Sequence, residues 1–148
     1  MRPIETIDVP QANSLTAVGN LLALVQSGVQ EKERLSRELR LVPREVDYYM
    51  HAARILGFAN YEGRSGTFDL TAAGEKYLSA ETPIEKRALL AAAVRESPVF
   101  RELEKMFIER ELDKDKVVQF LRDRTNLNTV TARRRADTIL SWIKQTPT

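Results

Sequence analysis

The chain has 148 residues, 43% hydrophobic and 30% charged, which suits a globular protein with one full core or two small ones sharing an interface. The absence of cysteine and the single histidine exclude disulfides, thiolate metal sites and a histidine zinc cluster, and no apolar run approaches the roughly 20 residues of a membrane span. A net charge of +2 decides little, but its distribution is uneven: residues 1–112 hold 15 basic and 17 acidic side chains, residues 113–148 hold 8 and 4. No signal-peptide pattern opens the sequence, so a cytoplasmic location is expected.

Residues 1–12 contain two prolines and no helical period, and are expected to form an extended arm. Asn13 or Ser14 offers a side-chain oxygen to cap the next helix. That helix aligns Leu15, Val18, Leu22 and Val25 on one face and stops at Gly28. A second helix within Glu31–Leu39 uses Leu35 and Leu39. A tight turn follows, and Pro43 then takes the first position of a third helix, where its missing N–H costs nothing. Val46, Tyr49, Met50, Ala53 and Leu56 recur there at the spacing of a buried stripe. The opposite face carries Arg44, Asp47, Tyr48, His51 and Arg54. Gly57 ends the helix, and the stretches 58–62 and 67–70 flank the tip Gly63-Arg64-Ser65-Gly66 as a β-hairpin. Thr71 caps a short helix over 72–79. Three helices and a hairpin in this order predict a winged helix-turn-helix over residues 13–80, whose polar-faced helix enters the DNA major groove.

From Thr82 the pattern is helical only. Thr82, Pro83 and Glu85 form a helix start with capping-box spacing, opening an alanine-rich helix through Val94 that is expected to pack closely. Ser97-Pro98 starts another, with Val99, Phe100, Leu103, Met106 and Phe107 as its apolar face. A further helix runs through Val117–Leu121, and residues 125–128 form a turn. The last helix, Thr129 to about Gln145, is expected to bury Ala132, Ala136, Ile139 and Ile143, with Trp142 near the edge of that stripe. The fold class is therefore mainly α, a winged helix-turn-helix with a small hairpin wing plus a helical C-terminal subdomain over 82–145. That subdomain has the spacing of a second helix-turn-helix.

Candidate DNA contacts follow from these placements. Arg44 lies at the N-terminal end of the groove helix, where base contacts concentrate, and Asp47, Tyr48, His51 and Arg54 share its face. His51 reads equally as a locally hydrogen-bonded histidine, and Tyr48 as a solvated or interface residue. Arg64 and Ser65 at the hairpin tip suit a phosphate or the minor groove, or are simply polar turn residues. Thr129, Thr131, Arg133, Arg134 and Arg135 open the last helix, where hydroxyls and guanidiniums contact phosphates or guanine edges; the plain alternative is a solvated face paired with Asp137. Catalysis has little support. His51 has no glycine-rich elbow nearby, Glu102-Leu-Glu104-Lys105 falls in a helical period, and Gly63-Arg-Ser-Gly66 is too short for a phosphate loop. The expected protein is not an enzyme and needs no cofactor.

Arg44-Glu-Val-Asp-Tyr-Tyr-Met-His-Ala-Ala53 with Leu56-Gly57, the hairpin leading into Leu70-Thr-Ala-Ala-Gly74, Ser97-Pro-Val-Phe100, and Thr131-Ala-Arg-Arg-Arg-Ala-Asp-Thr138 with Ser141-Trp142 together resemble a known family. It comprises winged-helix domains found as accessory or DNA-binding modules of bacterial and archaeal restriction-modification proteins, often joined to a nuclease domain. The resemblance implies double-stranded DNA as ligand, a defence or modification context, and a restriction nuclease or methyltransferase as partner. Two other classes remain open: a homodimeric transcriptional regulator of its own operon, and a protein-interaction module on the same scaffold. The balance of 8 basic and 8 acidic residues between 29 and 80 keeps the last one open.

Overall fold

The structure, a computed structural model, describes residues 3–107 and 111–147. Met1 and Arg2 of the expected arm, residues 108–110 of the expected 82–145 subdomain, and Thr148 lie outside the described residues. The fold is mainly helical with one small antiparallel hairpin. Among the described residues, no helix is long and apolar enough to cross a membrane.

Helix α1 (Leu15–Gln26) is central. Ser14 caps it by accepting from the Ala17 N–H at 3.1 Å, and Leu15, Val18, Leu21 and Leu22 are all buried. It packs against α2 (Lys32–Leu39), α3 (Pro43–Ile55) and α4 (Ala72–Ser79). The α2–α3 turn hinges on Arg40, a non-glycine residue at φ +56° in the left-handed region. The Ser36 hydroxyl donates to the Leu41 carbonyl and ties the turn down. Glu45 then reaches back from the first turn of α3 to accept from the Val42 N–H at 3.2 Å. Val46, Tyr49, Met50 and Ala53 are buried as their spacing predicts, and Gly57 stops the helix at φ +77°.

Strands β1 (Ala59–Glu62) and β2 (Thr67–Leu70) pair antiparallel, with Tyr61 opposite Phe68. Period-two alternation turns both rings inward, edge to face at 5.8 Å. Thr71 closes the lobe twice over: its hydroxyl donates to the Gly57 carbonyl at 2.6 Å and accepts from the Gly74 N–H at 3.1 Å. Tyr77 of α4 stacks on Phe58 at 4.8 Å.

Helix α5 (Pro83–Glu96) leads into α6 (Pro98–Met106), and α7 (Lys114–Arg124) packs lengthwise on α8 (Thr129–Gln145). Three expectations fail here. The alanine-rich α5 packs less deeply than expected, with Leu89, Leu90 and Ala93 half-buried against the core and only Val94 fully buried. Met106 is 45% exposed, because α6 buries Val99, Phe100 and Leu103 and ends before turning Met106 inward. In α8 the buried stripe runs Ala132, Ala136, Ile139 and Trp142, leaving Ile143 39% exposed. Trp142 is wholly buried because its indole N–H has an acceptor, the Ala12 carbonyl at 2.7 Å, and its ring stacks on Phe100 at 5.8 Å.

That acceptor belongs to the segment expected to form an extended arm, which a short 3-10 turn interrupts. Residues Thr6–Asp8 form a 3-10 turn, and Val9, Pro10 and Ala12 are buried. Thr138 donates to Asn13 Oδ1 at 2.6 Å, and Gln145 Oε1 accepts from the Leu15 N–H at 2.9 Å. The first and last parts of the described chain thus share one core.

Candidate nucleic-acid interface

Helix α3 exposes only its first turn. Pro43 and Arg44 are open, whereas Asp47, Tyr48, His51 and Arg54 are half-buried and everything else on the helix beyond Glu45 is buried. Two neighbours cover the polar face. Tyr61 from β1 donates its hydroxyl to Asp47 Oδ1 and presents its ring to the edge of His51 at 4.8 Å. On the other side the segment 4–9 runs past the C-terminal half of α3.

The charges there are joined. Lys32, at the start of α2, lies 3.5 Å from Asp47 Oδ1 and 5.9 Å from the centre of the Tyr61 ring. Hydrogen bonding with Tyr61 is the main reason the Lys32 ammonium is held above its ordinary value. Burial, then the bond to Asp47, pushes the Tyr61 hydroxyl upward. His51 Nδ1 accepts from Arg54 Nε at 3.4 Å, which leaves the imidazole proton on Nε2, facing Asp47 Oδ2 at 3.8 Å. Burial moves His51 below its ordinary value despite the opposing pull of Asp47. A neutral His51 is therefore the dominant form at neutral pH.

Arg54 continues this chain to the N-terminal segment. Its Nη1 meets Asp8 Oδ1 at 3.0 Å and its Nη2 donates to the Ile7 carbonyl at 2.7 Å. Arg135, from α8, holds the same segment from the other side, donating Nη1 to the carbonyls of Thr6 at 3.2 Å and Val9 at 3.0 Å. Its Nε is buried and has no hydrogen-bond partner among the described residues. Burial, with Arg134 nearby, lowers Arg135 from its ordinary value. Arg135, Asp47, Tyr48 and His51 line one small cavity of about 200 Å³ with Thr6, Ile7 and Val9.

The remaining candidates stand apart from this cluster. Arg64 and Ser65 are exposed at the hairpin tip, where the Glu62 carboxylate accepts from their backbone N–H groups at 3.0 and 2.8 Å. Those contacts, with the Ser65 hydroxyl first among them, hold the Glu62 carboxyl below its ordinary value. Thr129 is exposed at the start of α8, and the Thr131 N–H is taken by the Asn128 cap at 2.9 Å. Arg133 is exposed and 4.0 Å from Asp115, and Arg134 is exposed. Asp137, the partner considered for these arginines in the plain alternative, is 3.0 Å from Lys114.

Sequence reasoning therefore named most of the covered cluster, Asp47, Tyr48, His51, Arg54 and Arg135, and missed Lys32, Tyr61 and Asp8. Tyr61 carried a usable signal, since the alternation of β1 turns it toward α3. Asp8 carried none. Among the described residues no group of three or more His, Asp or Glu side chains is arranged to hold a metal ion.

A match to the family described as Domain of unknown function (DUF7226) spans residues 17–145. The chain belongs to this family. The matched stretch of this DUF7226 chain holds every candidate contact and the elements α2 to α8, while the segment 3–9 that lies across α3 precedes it. No curated protein and no solved structure matches the chain.

Proposed function

We propose that this chain is a non-catalytic, sequence-specific reader of duplex DNA built on a winged helix-turn-helix. The observation that carries the reading is the arrangement of α2, the Arg40 turn, α3 and the hairpin, which leaves Arg44 exposed on the first turn of α3 and Arg64 exposed at the hairpin tip. The first turn of a groove helix is where base edges are met, so the cover over the rest of α3 does not block that contact. Arg133 and Arg134 on α8 supply further positive charge for phosphates. A restriction-modification or defence setting, with a nuclease or methyltransferase partner, is what the resemblance carried by residues 44–57, the hairpin leading into 70–74, 97–100 and 131–142 implies, and a cytoplasmic location is proposed from the lack of a signal-peptide pattern.

Selection of bound duplexes from a random DNA pool, at about physiological salt and again at higher salt, tests the reading. An enriched motif that persists at the higher salt supports it, and two-fold symmetry in that motif supports a homodimeric regulator. No enrichment and no duplex binding at low salt refutes it. The second reading is a protein-interaction module, favoured by the half-buried state of Asp47, Tyr48, His51 and Arg54 and by the hydrogen bonds that Asp47, His51 and Arg54 already make within the protein.

A further inference from the structure

Residues 3–8 and residues 9–14 are held in different ways. From Val9 onward the segment is fixed by buried side chains and by α8, through Trp142, Thr138 and Gln145. Before Val9 no side chain is fully buried, and Pro3, Glu5 and Ile7 are exposed. Apart from the half-buried Ile4 side chain, which packs on the core, what holds 3–8 is polar: the Ile4 N–H donates to the Arg124 carbonyl at 2.8 Å, Arg54 takes Asp8 and the Ile7 carbonyl, and Arg135 takes the Thr6 carbonyl. An open cleft of about 1100 Å³ lies along its flank toward α6 and the end of α7, and the 200 Å³ cavity lies beneath it toward α3. The segment thus has a fixed end at the buried Val9, mainly polar anchors, and open space beside it.

The acceptors it offers to Arg54 and Arg135 are one carboxylate and two carbonyls, with a third carbonyl from Val9 at its fixed end, the kind of oxygen surface that a nucleic-acid phosphodiester also presents. Arg135 Nε remains unsatisfied in this arrangement. We propose that Arg54 and Arg135 form a phosphodiester-binding site that residues 3–8 close as a strap, with Asp8 standing in for the phosphate. This rests on the DNA reading above. It extends that reading by making Arg54 and Arg135 ligands only of the strap-open form. The apparent affinity for duplex is then the open-form affinity scaled by the fraction of molecules with the strap lifted.

The test compares two full-length variants with equal charge changes. Asp8→Ala removes the ion pair with Arg54 and leaves that arginine's bond to the Ile7 carbonyl, whereas Glu5→Ala removes an exposed carboxylate with no contact to either arginine. Binding is measured on a duplex of mixed sequence at low salt. Asp8→Ala is expected to bind about five-fold more tightly than wild type, the scale of one half-exposed ion pair, and Glu5→Ala within about two-fold of wild type. Hydrogen exchange supplies a second readout: excess duplex is expected to speed exchange of the Ile4 amide while the α3 amides stay protected. Equal affinities for the two variants, or an Ile4 amide that exchanges no faster with duplex present, overturn the inference while wild-type binding leaves the DNA reading standing. If neither wild type nor Asp8→Ala holds duplex, both readings fall.

Discussion

Gly74 sits where α4 meets the entry to the hairpin, and a methyl group added there has nowhere to go. An ideal Cβ would stand 2.0 Å from the Phe58 carbonyl oxygen, 3.0 Å from its carbon and 3.3 Å from its Cα. These are backbone atoms, and the Phe58 oxygen is further fixed by accepting from the Thr71 N–H at 3.0 Å. Gly74→Ala therefore forces α4 away from the strand entry, loosening the Tyr77–Phe58 stack. Overpacking of this kind costs about 1–3 kcal/mol, and a rigid backbone obstacle puts it at the upper end. Alanine returns up to about 1 kcal/mol through its better helix propensity. The net expectation is a loss of about 2 kcal/mol, or roughly 4–8 °C in Tm for a chain of this size. Thermal melting followed by far-ultraviolet circular dichroism measures it, with Gly63→Ala as control because nothing stands within 4 Å of a Cβ at that position. A Gly74→Ala protein that melts at or above the wild-type temperature would refute the packing of α4 described here.

Tyr61→Phe removes the hydroxyl bonded to Asp47 and should cost about 1 kcal/mol, read as a lower urea midpoint with an unchanged slope; no shift would mean that Asp47 is satisfied without it. His51 titrates below its ordinary 6.5 in the folded protein, so the unfolded chain binds its proton first as pH falls. Stability attributable to His51 is thus present above about pH 6.5 and lost as pH drops through that value toward the folded pKa; His51→Gln should flatten this part of the stability profile, and an unaltered profile would count against it. Trp142 is the single tryptophan and is fully buried. Its blue-shifted fluorescence should report the docking of residues 9–13 directly, and Trp142→Phe, which strands the Ala12 carbonyl, should destabilise by about 1–3 kcal/mol. For the DNA reading, Arg44→Ala should reduce discrimination between sequences, while Arg133→Ala with Arg134→Ala should weaken binding to all duplexes and flatten the salt slope. Equal losses on selected and random DNA in both cases would contradict that division of roles.

The helices of the first lobe were legible because each carries local chemistry that works in isolation. Ser14 and Thr71 cap, Pro43 starts a helix, Gly57 ends one, and the Val46–Met50–Ala53 spacing admits one buried face. What the sequence hid depends on partners far along the chain. Trp142 was misplaced by one position of helical phase because its burial is decided by Ala12, 130 residues away. The 3-10 turn at Thr6–Asp8 has no local signature, since Arg54 and Arg135 hold it in place. The same tertiary effect changed the character of the candidate site. Composition reads Arg54 and Arg135 as free cations on two separate helices, and only the fold brings both to one short stretch of chain. Arg44, Arg64 and Arg134 kept the exposure expected of them because they sit at a helix start, a hairpin tip and an outer helix face, where local geometry alone decides.

The clasp between residues 12–15 and 138–145 bears on the order in which the protein is made. Closing a loop of about 128 residues costs roughly 3 kcal/mol more entropy than closing one of four, at about 0.6 kcal/mol per doubling. The hairpin can therefore pair early, whereas the cap of α8 over Asn13 must come last. On the ribosome, α1 emerges long before Trp142 and Gln145, and the Ala12 carbonyl and Leu15 N–H wait in water until then. Synthesis that stops short of α8 leaves residues 9–13 without the helix that holds them, so quality control of a truncated product would recognise its beginning rather than its broken end.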